Sequence, residues 1–278
     1  MKKSSIILIA FVFIIVGVGL AFANNYNATN TTPQDSPCFD NHATRGSNVA
    51  LTITNQGIIG SEQNPSTLDP ESGLPAPSCR FPANSGLEYL FMGSIWVGAI
   101  VDGDTLVSCG SDGWWDSHEL FPKPCPEGEM EVTSNVADRE IIGVCYDTSS
   151  FADDDPIDGP HTPIGLKITT HSFSWNYPPY SDFVILRFTI ENITANPIND
   201  IWTGLYYDGD VADTSRLDSG GAQDDICGYT ESDGREIAWI ADNDGDPSSG
   251  EWDDRSVRSV CGIEILSPPE SGLQTSFN

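Results

Sequence analysis

Residues 181–213 read SDFVILRFTIENITANPINDIWTGLYYDGDVAD, and the fold class follows from them. Val184, Leu186, Phe188 and Ile190 alternate with Phe183, Ile185, Arg187 and Thr189. A period of two places each set on one face of a pleated strand. Thr194-Ala195-Asn196-Pro197-Ile198-Asn199-Asp200 breaks the run with turn residues. Ile201 to Tyr207 resumes it, and Asp208-Gly209-Asp210 closes it. The stretch predicts two strands joined as a hairpin, with acids where the second strand ends.

Outward from this stretch the same grammar repeats. Asn48 to Ile59 alternates like a first strand, and Gly86 to Ile100 is strongly apolar. Asp102-Gly103 is a two-residue hairpin signal with Thr105 to Ser108 as its return strand. Arg139 to Tyr146, Leu166 to Trp175, Arg235 to Ile240 and Val257 to Leu266 read as further strands. Gly (26) and Pro (19) recur too often for long helices. Many short strands between turns predict an all-β, antiparallel β-sandwich, jelly-roll or immunoglobulin-like, with long loops.

Residues 1–23 have the form of a signal peptide. Lys2 and Lys3 precede the apolar run Ile6 to Leu20, and Ala21-Phe22-Ala23 offers a small-x-small cleavage site before Asn24. The expectation is a signal helix at 1–23, a loose polar start at 24–47, and one β-sandwich domain at 48–278. An uncleaved anchor is the rival, since Ile6 to Ala23 nearly spans a bilayer. The mature chain shows no membrane span. The last residues, Leu273 to Asn278, read like the opening of a strand and suggest a fragment of a longer protein. Export makes the protein secreted or cell-surface, with an extracellular ligand or surface component as partner.

Asp and Glu number 41 against 12 Lys and Arg, a net charge of −29 that loss of Lys2 and Lys3 would deepen. Such a surface repels nucleic acid and anionic membrane and attracts divalent cations. Export also predicts disulfides among Cys38, Cys79, Cys109, Cys125, Cys145, Cys227 and Cys261. The odd count leaves at least one unpaired within the chain, and Cys227–Cys261 is the expected pair because both lie in the C-terminal strand region.

Asp242-Asn243-Asp244-Gly245-Asp246 carries oxygen ligands at alternate positions, as a hard cation such as Ca2+ requires. Asp253 falls where an EF-hand would place its last acid, but Pro247 replaces the needed glycine and no helices flank the loop. Two readings stand. One is a β-loop calcium site built from Asp242, Asp244 and Asp246 with Asp208, Asp210 and Asp225. The other is an acidic turn in an acidic protein. Trp114 and Trp115 sit beside Asp112, Asp116 and Glu119, a possible sugar-stacking platform or the cover of a core edge.

No HExxH, GxSxG, P-loop or GxGxxG occurs. The four histidines, His42, His118, His161 and His171, show no metal-ligand spacing. The expectation is therefore a non-catalytic module with a structural, adhesive or ligand-binding role. The alternative is a secreted hydrolase acting on polysaccharide, with loops 112–121 and 242–254 lining a cleft.

Several stretches together resemble one kind of domain: residues 51–60 (LTITNQGIIG), 85–108 (SGLEYLFMGSIWVGAIVDGDTLVS), 177–192 (YPPYSDFVILRFTIEN), 200–211 (DIWTGLYYDGDV) and 224–229 (DDICGY). They are similar to the N-terminal β-rich region of large exported bacterial surface proteins, many of which carry a C-terminal sorting domain for type IX secretion. The resemblance covers roughly 48–278. It implies a β-rich exported module, and it assigns no activity. The cysteines depart from the family's usual pattern and suggest additional stapling.

Overall fold

The computed structural model describes residues 8–16, 36–113, 118–150, 161–216, 222–232, 235–243, 245, 252–267 and 276. The expected all-β sandwich is present, and its core lies between two sheets.

The N-terminal strand is β1 (Leu8–Val16). Next come β2 (Asn41–Ala43), β3 (Ala50–Thr54), β4 (Ile58–Gly60), β5 (Cys79–Arg80), β6 (Leu87–Glu88), β7 (Met92–Val101) and β8 (Asp104–Cys109). The middle of the chain supplies β9 (Glu131–Thr133), β10 (Arg139–Asp147), β11 (Leu166–Ser174), β12 (Val184–Asn192) and β13 (Asn199–Asp208). The last strands are β14 (Ala212–Asp213), β15 (Ile226–Ser232), β16 (Arg235–Ala241) and β17 (Val260–Ser267).

One sheet runs β15-β16-β17-β1-β12-β11-β10-β9. The other runs β13-β7-β4-β3-β5-β6-β14, with β2 on β3 and β8 on β7. The inward faces obey the period-two rule. Val184, Leu186, Phe188 and Ile190 of β12 are buried, and they join Ile141, Cys145 and Ile168 from their own sheet. Leu51, Ile53, Ile59, Ile95 and Val97 meet them from the other sheet.

Several expectations change. Residues 181–213 contain the two expected strands, β12 and β13, with the short β14 after them, but no hairpin. β12 pairs with β11 and β1, whereas β13 pairs with β7, so residues 193–198 carry the chain from one sheet to the other. The turn residues mark a reversal equally well for a hairpin and for a crossing, because local chemistry does not name the pairing partner. Asn48 to Ile59 is two strands rather than one. Gly57, at φ 74°, turns the chain between β3 and β4. The Asp102-Gly103 turn is as expected, with φ 53° and 97° and an antiparallel β7–β8 ladder.

Within residues 1–23, expected as a signal helix, the described part is a strand, Leu8–Val16, parallel to both β12 and β17. Its sequence LIAFVFIIV is dominated by β-branched and aromatic residues, and a continuous apolar run suits a central parallel strand. No described helix is long and apolar enough to cross a membrane.

Residues 38–47, expected within the loose start, are tied down. Cys38 and Cys125 form a disulfide with Cα atoms 5.0 Å apart. Asn55 Nδ2 donates to the carbonyls of Cys38 and Gly128 at 2.6 and 2.7 Å. The expected Cys227–Cys261 pair is absent. Both residues oppose Ile240, one on each side of β16, which puts them two strand spacings apart. That is roughly 9.6 Å, beyond the ~7 Å a disulfide can bridge. Cys227 is exposed and Cys261 buried, and both are free thiols.

Candidate functional site: an acidic corner between the sheets

The fold brings four of the six expected aspartates to one corner. Asp208 ends β13, and Asp210 follows it. The pairing of Ile226 with Ala241 sets Asp225 and Asp242 side by side at one end of the β15–β16 ladder. The Val211 N–H then donates to Asp225 Oδ2 at 2.7 Å, linking the segment after β13 to the start of β15. The corner is thus assembled from both sheets. Asp244 and Asp246 lie outside the described residues, as do Trp114 and Trp115.

Asp208 is half-buried and accepts a hydrogen bond from the Tyr206 hydroxyl at 3.3 Å. Burial raises its carboxyl above the ordinary range, more than the Tyr206 bond lowers it. Asp210 is pushed up to about 6 by burial and by the neighbouring Asp208 charge. Asp225 goes further, to about 8. Burial is the largest cause, and the charges of Asp242, Asp210 and Asp224 add to it against the Val211 hydrogen bond. Asp225 Oδ1 is buried without a hydrogen-bond partner. Asp242 Oδ1 accepts from the Gly245 N–H at 2.7 Å, which curls the following loop back on itself.

These acids repel one another, and their mutual field is relieved by a proton or a cation. An all-oxygen set of partly buried carboxylates suits a hard cation. No three of the described corner carboxylates approach within 4.8 Å; among the described residues only Cys38, Cys125 and Glu129 do so, and those two sulfurs form the disulfide. Asp253 is committed elsewhere. It pairs with Arg216, whose Nη1 also donates to the Gly245 carbonyl at 2.9 Å. This clamp orders the far side of the same loop.

A second polar cluster lies inside the sandwich, and sequence spacing gave no hint of it. His161 is held between Asp147 at 2.7 Å and Glu119 at 3.0 Å. Asp147 also accepts from Ser108 Oγ at 2.7 Å and from the Ile164 N–H at 2.6 Å. Burial lowers the imidazole's proton affinity, but hydrogen bonds and charges from the two carboxylates outweigh it and raise His161 to about 9. Ser108 donates to Asp147 rather than to the histidine, so this is not a nucleophile–base pair. The arrangement pins the segment after residue 160 to β8 and β10.

His171 lies on β11, between a carboxylate and a guanidinium. Its Nε2 meets Glu140 at 2.8 Å, and its Nδ1 meets Arg187 Nη2 at 2.7 Å. Burial pushes the Glu140 carboxyl up, but donation from the N–H groups of Val136, Ala137 and Asn135 and from His171 holds it below the ordinary value.

No protein-family model, curated protein or solved structure matches the chain.

Proposed function

We propose that the chain is a non-catalytic, exported β-sandwich module of a secreted or cell-surface protein, akin to the surface proteins its sequence resembles. Its role is structural, adhesive or ligand-binding, and a divalent cation, calcium, rigidifies its acidic corner. The observation that supports this reading most is the meeting of Asp208, Asp210, Asp225 and Asp242 at one corner, with a buried Asp225 oxygen left unpartnered. These residues suit a hard cation. Asp225, Asp210 and Asp208 would supply oxygens, and Asp242 would couple the ion to the loop that follows β16. The ion would supply positive charge in place of the protons that the crowded carboxyls otherwise retain.

The test is thermal unfolding of the purified chain with calcium and with chelator across pH. Calcium should raise Tm, and the gain should grow from pH 5 to 8, because protons compete for Asp210 and Asp225 at the lower end. Proton release on binding, read by calorimetry in buffers of different ionisation enthalpy, should accompany it. An unchanged Tm and unchanged protease resistance on chelation would remove calcium from the reading.

A further inference from the structure

We infer that the outer face of β13, β7 and β8 is a binding platform for a neutral glycan chain. The inference rests on the non-catalytic, ligand-binding reading above, and adds to it a ligand class and a place.

Alternation fixes which side chains look outward. Ile201, Leu205 and Tyr207 of β13 pack on the core, as do Ile95, Val97 and Ala99 of β7 and Leu106 of β8. Trp202, Gly204 and Tyr206, Trp96 and Gly98, and Val107 therefore share the opposite face. Register sets Trp202, Gly98 and Val107 in one row across the three strands, and Gly204 opposite Trp96 in the next. Each tryptophan thus stands across from a glycine. A Cβ at Gly98 would meet Trp202 and Val107 at 3.9 Å each, so those side chains flank a bare stretch of backbone. A Cβ at Gly204 would meet nothing within 4 Å, so the space beside Trp96 is open.

The rings are exposed or fixed in place. Trp202 is 57% exposed and Val107 49%. Trp96 Nε1 donates to the Ser111 carbonyl at 2.9 Å, and its ring stacks on Tyr206 with centroids 6.0 Å apart. Trp202 and Trp96 are diagonal neighbours, a relation that sets Cβ atoms roughly 7–8 Å apart. A chain of linked rings reaches both, whereas a single small ring reaches one.

Size and charge choose the occupant. Trp202 and Val107 together offer on the order of 200 Å² of exposed apolar surface, against about 800 Å² per partner in a stable protein interface. The outward positions between Asp200 and Asp208, and those facing them on β7 and β8, hold no charged residue. Carboxylates stand only at the ends of this face, Asp208 at one and Asp200 and Asp104 at the other. A pyranose matches both features. Its C–H faces suit the electron-rich faces of tryptophan, and its hydroxyls donate to carboxylates. A chain carrying −29 repels acidic glycans. A polycation would be held by charge rather than by the rings, and salt separates those two modes.

The experiment titrates the purified full chain with neutral oligosaccharides of cellulose, laminarin, mannan and xylan by calorimetry, at low and high salt. At least one should bind, with the same affinity at both salt levels. Trp202→Ala should weaken it about tenfold or more. Gly204→Leu should keep Tm and lose binding, because its φ lies outside the left-handed region and the new side chain fills open space. Tyr177→Ala, at an exposed aromatic elsewhere, should bind as the parent does. Absence of binding to all four glycans would overturn the inference. So would unchanged affinity in Trp202→Ala or in folded Gly204→Leu, or capture of oligolysine alone that disappears at high salt. Mass spectra of the same samples separate this failure from that of the underlying reading. Shortened oligosaccharides would overturn the non-catalytic reading and leave the platform standing, whereas a chain that neither binds nor cleaves them overturns the platform alone.

Discussion

At the scale of single residues, Asp225 and His161 carry the clearest electrostatic consequences, with opposite sources. Asp225 keeps its proton to about pH 8 in the folded chain but would lose it near pH 4 in the unfolded one. The folded state binds more protons across that window, so without a cation stability falls as pH rises from about 4 to 8. Asp225→Asn removes the buried charge. It should raise Tm in chelator at pH 8 by about 2–4 °C for each kcal/mol gained, and abolish most of the calcium response. Thermal scans of the variant with and without calcium check both parts. His161 shows the same sign of pH dependence, but from attraction by its carboxylate partners rather than from burial and repulsion. Its raised proton affinity contributes stability that is complete below about pH 6.5 and lost as pH passes about 9. His161→Ala leaves Asp147 and Glu119 without their shared partner and should cost about 3–5 kcal/mol at pH 7, with a smaller loss at pH 10. Denaturant titrations at the two pH values measure the difference.

At the scale of elements, the turn between β3 and β4 is closely packed. Gly57 holds φ 74°, and a Cβ there would sit 2.8 Å from Leu120 Cδ1 and 2.9 Å from Ile95 Cγ2. Gly57→Ala combines backbone strain with overpacking, and about 2–4 kcal/mol of destabilisation is expected by chemical unfolding. The strands also sort the thiols. Cys227 is exposed on β15, while Cys79, Cys109, Cys145 and Cys261 are buried. Burial pushes the Cys261 thiol up to about 12, against its hydrogen bond with the Tyr207 hydroxyl. A maleimide reagent should therefore label Cys227 within minutes and the other four only as the chain unfolds, as intact-mass spectra at low and high denaturant would show.

At the scale of the whole molecule, the Cys38–Cys125 bridge closes a loop with a sequence separation of 87. Chain-entropy arguments put its contribution at about 4–5 kcal/mol, so Cys38→Ser should lower stability by up to that amount, read as a shift in the denaturant midpoint. Much of the architecture was legible beforehand. The alternation in β10, β11 and β12 follows from side-chain polarity every second residue, and the Asp102-Gly103 turn from backbone sterics. The acids at 208, 210, 225 and 242 were visible as residues. Their meeting was not, because it depends on Ile226 finding Ala241 and on β13 pairing with β7 in the opposite sheet. The Asp147–His161–Glu119 cluster was invisible for the same reason: its members come from three separate segments with no common spacing. The amino-acid sequence by itself determined the β class, the strand-forming stretches, the acidity and the apolar run near the N-terminus, all set by neighbours along the chain. Tertiary structure alone decided that β12 and β13 part to opposite sheets, that Cys38 rather than Cys227 is bridged, and that β1 lies between β12 and β17. Those outcomes depend on which backbone edges and buried faces meet across long separations, and period-two patterning is indifferent to the partner.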